Sequence, residues 1–256
     1  MTSHDKRLQG KTALVTGSSR GLGRTTAEWL AREGANIVVS GRDADSVAKT
    51  VEAVSAYGVR AEGYTADLAQ VSEAHRLASV TLSAVHQLDI LVNNAGMSIR
   101  GNFWEVTDAE WDEQVNANWR SSFILAQYAA KHMIERSIRG RIVNTSTIGT
   151  RACHTDACVY DSAKGAVEVM TRNMAYELGP YGISVNCVVP GNMAERPGTD
   201  REDWWETAAK RIPFGRVGKA EDIAAAVLFF CLPESEFTTG QSLLVDGGHD
   251  TYLPEF

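Results

Sequence analysis

The chain has 256 residues, 44% of them hydrophobic and 22% charged, which suits one large globular domain or two small ones and excludes collagen-like, disordered and coiled-coil chains. Its formal net charge of −7 excludes a general binder of nucleic acid or anionic membrane, because such partners demand a basic footprint. The four cysteines, Cys153, Cys158, Cys187 and Cys231, make no Cys-x-x-Cys pair, and a chain of this size does not need disulfides to hold a core; reduced, mostly packed thiols are expected.

The first eleven residues are polar and charged, without the apolar centre of a secretory signal. No run reaches the ~18 apolar residues of a membrane span, so a cytoplasmic chain is expected. Residues 12–15 (Thr-Ala-Leu-Val) form the first β-branched run. A glycine loop and a helical segment over residues 24–32 follow, then a second strand over residues 36–39 and a weaker third over residues 59–65. Further strands are expected at residues 88–92, 141–144, 183–189 and 243–246, separated by segments of helical period. Runs that are apolar on both faces suit parallel strands covered by helices. The expected fold is therefore α/β, a single-domain, Rossmann-type doubly wound parallel sheet of about seven strands. No linker divides residues 1–256. One irregular, charged insertion, residues 192–211, carries Trp204 and Trp205 and reads as a lid or substrate loop.

The loop after the first strand is Thr16-Gly17-Ser18-Ser19-Arg20-Gly21-Leu22-Gly23. Glycines there permit a tight turn, let backbone approach a pyrophosphate, and leave the following helix N-terminus open to bind it. Its spacing, with Asn93-Asn94-Ala95-Gly96 after the fourth strand and Tyr160-x-x-x-Lys164, resembles the short-chain dehydrogenase/reductase family. The resemblance runs through Pro190-Gly191 to Thr239-Gly240 and Asp246-Gly247-Gly248, near the end of the chain.

That resemblance implies a nicotinamide dinucleotide lying against Gly17, Ser19, Arg20, Gly21, Leu22 and Gly23. Asp67 and Leu68 would meet the adenine, Asn94 and Gly96 would shape the cleft, and Tyr160, Lys164, Pro190 and Gly191 would reach toward the nicotinamide. Asp67 reads equally as a helix cap. At the end of the second strand stand Ser40-Gly41-Arg42: no acidic side chain repels a 2′-phosphate, and Arg42 and Arg20 can pair with one. NADP(H) is the expected cofactor, with NAD(H) as the alternative. In place of the nicotinamide-contacting threonine frequent in the family, Asn192-Met193-Ala194 follows Pro190-Gly191.

Tyr160 and Lys164, four apart on a helical segment, project from one face, and an ammonium close to a phenol favours phenolate. Tyr160 is thereby the expected general acid/base. The resemblance places a serine thirteen residues before the tyrosine, where this chain has Thr147, with Ser146 adjacent. Strand alternation favours Thr147; Ser146 stays the alternative. Asn118 matches the family asparagine that holds a water in line with the lysine, and an α-helix would turn Asn116 away from it.

The expected activity is hydride exchange between the cofactor and a small carbonyl or secondary-alcohol substrate. Ser98, Arg100, His154, Asn192 and Trp204 are the substrate candidates, and their polarity suits a sugar, polyol or hydroxylated ketone. Reduction of a 3-oxoacyl thioester is the enzymatic alternative, and a dinucleotide-binding regulatory protein without catalysis the non-enzymatic one. A homo-oligomer, with tetramers frequent in the family, is implied, with an expected helix over residues 109–134 and the tail after Gly248 as interface candidates. The histidines His4, His75, His86, His132 and His249 show no metal-ligand spacing and read as surface residues.

Overall fold

A computed structural model describes residues 6–194 and 202–251. Seven parallel strands form one sheet in the order β3-β2-β1-β4-β5-β6-β7. The strands are β1 (Thr12–Val15), β2 (Asn36–Gly41), β3 (Ala61–Thr65), β4 (Ile90–Asn93), β5 (Arg141–Thr145), β6 (Ser184–Pro190) and β7 (Ser242–Val245).

Strand alternation sorts the core into two layers. On one face Ala13, Val15, Ile37, Val39, Ile90 and Val92 pack against α1 (Gly21–Arg32), α2 (Ala44–Ser55) and α8 (Ala220–Cys231). On the other, Leu14, Val38, Leu91 and Ile142 pack against α3 (Val71–Ala84), α5 (Ser121–Glu135) and α6 (Cys158–Leu178). Successive residues of β1 thus serve opposite layers, as the two-residue period of a strand demands. Each fully buried Leu, Ile or Val contributes about 1.5–3 kcal/mol. β3 is the weak strand because it is an edge: its half-exposed Glu62 and Tyr64 leave it no apolar run, and charge on an edge discourages pairing with another chain.

Two helices depart from expectation. Residues 109–134 do not form one helix: α4 (Asp108–Val115) gives way to a π-turn at Asn116–Arg120 before α5. α4 itself is nucleated by a capping box in which Thr107 and Glu110 exchange side-chain-to-backbone hydrogen bonds. In the 192–211 segment, α7 (Glu202–Ala209) is helical, whereas residues 195–201 lie outside the described residues. His132 is not a surface residue. It is 8% exposed, its Nε2 accepts the Leu88 N–H at 3.2 Å, and burial lowers its pKa. The cysteines divide evenly, Cys187 and Cys231 buried and Cys153 and Cys158 exposed at the start of the α6 region. Among the described residues no helix is long and apolar enough to cross a membrane.

The chain runs outward from β1 to β3, then returns to place β4 on the other side of β1. That reversal opens a crevice at the carboxyl ends of β1 and β4, where ligands of open α/β sheets bind.

Candidate active site

The crevice is built by tying three loops together. Thr16 Oγ1 accepts the N–H groups of Asn94 and Ala95, each at 3.0 Å, while Asn94 Nδ2 donates to Thr16 O at 2.9 Å. Ser18, fully buried, donates to Val15 O at 2.6 Å and accepts the Ser40 N–H at 3.1 Å. The loop after β1 is thereby fixed to the ends of β4 and β2. Two glycines are demanded sterically: Gly17 sits at φ 62°, and a Cβ on Gly23 would come within 2.5 Å of Asn94 Nδ2.

These ties frame a cavity of about 410 Å³. Gly17, Ser19, Arg20, Gly21, Leu22 and Gly23 line one side of it. Ser40, Arg42, Asp67 and Leu68 line the far end, with Asn94 and Gly96 between. Arg20, the N-cap of α1, makes no side-chain capping bond, so the first amides of α1 are open toward the cavity. Both Arg20 and Arg42 are exposed, and no ion pair among the described residues engages either. A glycine floor, an open helix N-terminus and two uncommitted guanidinium groups fit a phosphorylated dinucleotide. Asp67 does not cap α3; its Oδ1 accepts the Ala69 N–H at 3.2 Å, and Gln70 holds the cap position.

A second cavity of about 480 Å³ adjoins the first and shares Arg20, Leu22, Arg42, Asn94, Gly96 and Met97 with it. Thr147, Tyr160, Lys164, Pro190 and Gly191 line it. Thr147 follows β5 with extended backbone; it lines this cavity together with Tyr160, and its hydroxyl draws the phenol pKa down. Ser146, one residue earlier, turns the other way: its Oγ donates to Glu168 at 2.8 Å and to Lys164 O at 3.2 Å. Of the two hydroxyls, Thr147 is therefore the one that meets the tyrosine. Lys164, 3% exposed, donates through Nζ to Thr145 O at 2.9 Å. Its burial brings its pKa down to about 8.

The expectation that Lys164 lowers the phenol pKa is not met in this arrangement. Burial raises the Tyr160 pKa, and the influences pulling it down are the Thr147 hydrogen bond and the positive charge of Arg100. The Lys164 ammonium donates to the Thr145 carbonyl rather than to the phenol.

Asn118 is fully buried within the π-turn. Its Nδ2 donates to Met97 O at 2.7 Å and Gln114 O at 2.8 Å, and its Oδ1 accepts the Met97 N–H at 3.1 Å. The side chain is a strut for the loop after β4. Gly96 lets it approach, since a Cβ there would fall 2.7 Å from Asn118 Oδ1 and 3.2 Å from Lys164 Nζ. The α-helical angle between Asn116 and Asn118 does not apply in a π-turn, a feature that recurs at functional sites; Asn116 is nonetheless the more exposed of the two.

Ser98, Arg100 and His154 line the second cavity as expected. Asn192 does not: Met193 takes that place, and Asn192 O accepts the Gly218 N–H at 2.8 Å. Trp204 is carried on α7, but its side chain lies outside the described residues, as do Glu195 and Arg196. Sequence reasoning missed Thr16 and Ser18 as loop ties, and Asp161, which sits against His154 at 2.9 Å. Thr16 and Ser18 flank Gly17 in the recognised loop, which is the one signal that points to them; nothing in the sequence points to Asp161.

Comparison with known proteins agrees with this construction. A family model described as enoyl-(acyl carrier protein) reductase matches residues 17–250. The chain is 39% identical over 249 residues to the BbsD subunit of a hydroxy(phenyl)methylsuccinyl-CoA dehydrogenase from Thauera aromatica, covering 96% of this chain and 98% of that protein. It is 36% identical over 247 residues to gluconate 5-dehydrogenase of Gluconobacter oxydans, covering 94% and 95%. Among solved structures, a gluconate 5-dehydrogenase from Burkholderia cenocepacia in complex with NADP and tartrate superposes with a TM-score of 0.89 at 32% identity, covering 97% of this chain and 98% of that one. The sheet order, the tied glycine loop, the Tyr160–Lys164 helix and these relatives lead to one conclusion: the chain is an oxidoreductase fold of the short-chain dehydrogenase/reductase family.

Proposed function

We propose that the protein is an NADP(H)-preferring dehydrogenase/reductase that interconverts a carbonyl and a secondary alcohol on a polar, hydroxylated small molecule, with Tyr160 as general acid/base. The observation that carries this reading is that Thr147, Tyr160 and Lys164 line one cavity, which adjoins the glycine-floored one.

A bound nicotinamide supplies or accepts the hydride; everything else falls to the chain. In reduction, Tyr160 donates its hydroxyl proton to the carbonyl oxygen as the hydride reaches the carbon, and in oxidation it takes the alcohol proton back. Thr147 holds the same oxygen by a hydrogen bond, so the reacting group is oriented before transfer. Burial keeps Tyr160 protonated at rest, and the Thr147 hydroxyl and the Arg100 charge draw its pKa back toward the range that suits proton donation. Lys164 is the buried cation one helical turn away, poised to favour phenolate when it leaves the Thr145 carbonyl. Asn118 fixes the Met97 backbone that floors the cavity. The NADP(H) preference rests on Arg20 and Arg42, which line the first cavity without an ion-pair partner among the described residues, and on Ser40, which presents no negative charge there.

The names of the gluconate 5-dehydrogenase relatives favour the hydroxylated substrate. A second reading, reduction of a 3-oxoacyl thioester, is favoured by the acyl carrier protein in the family description and the succinyl-CoA in the name of the Thauera relative. NADPH and NADH oxidation measured against ketoses, diketones and acetoacetyl thioesters separates these. The account expects kcat/KM at least about tenfold higher with NADPH, falling toward parity in Arg42→Ala as a charge-assisted phosphate contact is lost. An NADH preference unmoved by that substitution contradicts the cofactor reading, and turnover confined to thioesters contradicts the substrate reading. By family resemblance we also propose a homo-oligomer, the tetramer being the form expected in light scattering.

A further inference from the structure

The second cavity has a wall that hydride transfer does not use. Asp161, one residue beyond Tyr160, holds His154 twice: its Oδ2 accepts the His154 backbone N–H at 3.0 Å, and its Oδ1 lies 2.9 Å from the ring Nδ1. Both side chains are nearly covered, at 16% and 13% exposure. The pair sits directly on Gly149, where a Cβ would overlap both side chains. The His154 ring centroid is 6.4 Å from that of Tyr160. With Nδ1 spent on Asp161, Nε2 is the ring's remaining polar atom on a residue that lines the cavity.

Arg100 lines the same end. Its guanidinium donates to the carbonyl of Thr155, the residue after His154, and its charge reaches Tyr160. No carboxylate among the described residues lines this cavity; behind its wall Asp161 is occupied by His154, and Glu168 by Ser146 and Thr150. A cationic fork therefore stands beside an oriented imidazole, next to the proton donor, with no internal anion to neutralise it. A guanidinium fork matches a carboxylate, and an imidazole whose Nδ1–H is given to Asp161 offers Nε2 as an acceptor for a hydroxyl.

Resting on the function proposed above, we infer that Arg100 and the Asp161-held His154 select a substrate that carries both a carboxylate and a neighbouring hydroxyl, so that the substrate is a hydroxylated keto acid and its product a polyhydroxy acid. Arg100 and His154 are the specificity-determining residues. Asp161 is a positioning residue, acting through His154.

Two matched pairs of probes test this. The first is NADPH-dependent reduction of 5-ketogluconate against L-sorbose, which have the same carbon count and configuration and differ in the carboxylate. The second is calorimetric binding of gluconate against sorbitol to the NADPH-bound protein, which needs no turnover. We expect the acid to be preferred by at least about tenfold in kcat/KM and in Kd, the scale of one charge-assisted contact. Arg100→Gln should collapse both ratios toward one through KM rather than kcat, and Arg100→Lys should restore a large part of them. Asp161→Asn keeps an acceptor for the His154 N–H but loses the charge; it should raise KM for 5-ketogluconate several-fold with kcat little changed. Equal handling of acid and neutral probe by the wild type overturns the inference while leaving carbonyl reduction standing, as does an acid preference that survives Arg100→Gln. An equal fall of kcat for both probes in Asp161→Asn reduces Asp161 to a structural role and overturns its part. Absence of NADPH oxidation with every carbonyl tried, together with equal gluconate and sorbitol binding, overturns this inference and the proposed function alike.

Discussion

The two adjoining cavities are built by opposite means. The first is a backbone cradle: glycines, an open helix N-terminus and three loops pinned by Thr16, Ser18 and Asn94. The second is a side-chain chamber, in which Thr147, Tyr160 and His154 meet from segments on either side of the turn after β5. A backbone cradle suits a ligand common to many enzymes, because pyrophosphate recognition needs N–H groups and little else. A side-chain chamber can be rebuilt by single substitutions, so it is where specificity resides.

That contrast can be broken at the cradle first. Gly23→Ala puts a methyl within 2.5 Å of Asn94 Nδ2, and a displacement of this kind costs about 100-fold in function. The expected result is an NADPH Kd raised by about that factor with the fold intact by circular dichroism; unchanged NADPH affinity would mean that the cradle is looser than its geometry. In the chamber, Thr147→Ala should lower kcat by about 10- to 100-fold, and Ser146→Ala much less, because Ser146 is committed to Glu168. Stopped-flow rates for the two variants check this, and a larger loss in Ser146→Ala would reverse the assignment.

The smallest effect is on stability. Lys164 has its pKa depressed from 10.5 to about 8, so below pH 8 the fold must bury a charge that the unfolded chain solvates. Between about pH 8 and 10.5 the unfolded chain binds more protons than the native one, and this contribution to stability rises with pH through that window. Lys164→Met should remove that pH dependence and stabilise the protein at pH 7 by about 1–3 kcal/mol while turnover is lost. Urea titrations at pH 7 and pH 10 measure it; destabilisation at pH 7 would show that the Thr145 hydrogen bond outweighs the desolvation.

What could be read from the sequence follows the same division. The strands over residues 12–15 and 141–144 were legible because both faces are buried around the apolar residues Ala13, Leu14 and Val15 and Ile142 and Val143, whereas β3, half-exposed at Glu62 and Tyr64, carries no such run. Every predicted residue of the glycine loop lines the first cavity, since local spacing alone dictates a cradle made of backbone. The chamber was legible only in part. Strand alternation separates Thr147 from Ser146, whose hydroxyl bonds Glu168, but the π-turn at Asn116–Arg120 has no signature in residue spacing. Met193 displaced Asn192 because the Met193–Gly218 bridge and the Gly218 N–H to Asn192 O bond set that segment's orientation. Asp161 went unread because a carboxylate one residue from a recognised tyrosine looks like a first-turn helix acid until the fold brings His154 onto it.

The central claim is that Tyr160, which lines the second cavity with Thr147, moves the proton that accompanies hydride transfer. Its most direct test is Tyr160→Phe, assayed for NADPH binding and for turnover with the best carbonyl substrate. The account predicts an unchanged NADPH Kd and a kcat reduced by about 100- to 10,000-fold. A phenylalanine variant that turns over at the wild-type rate would contradict it.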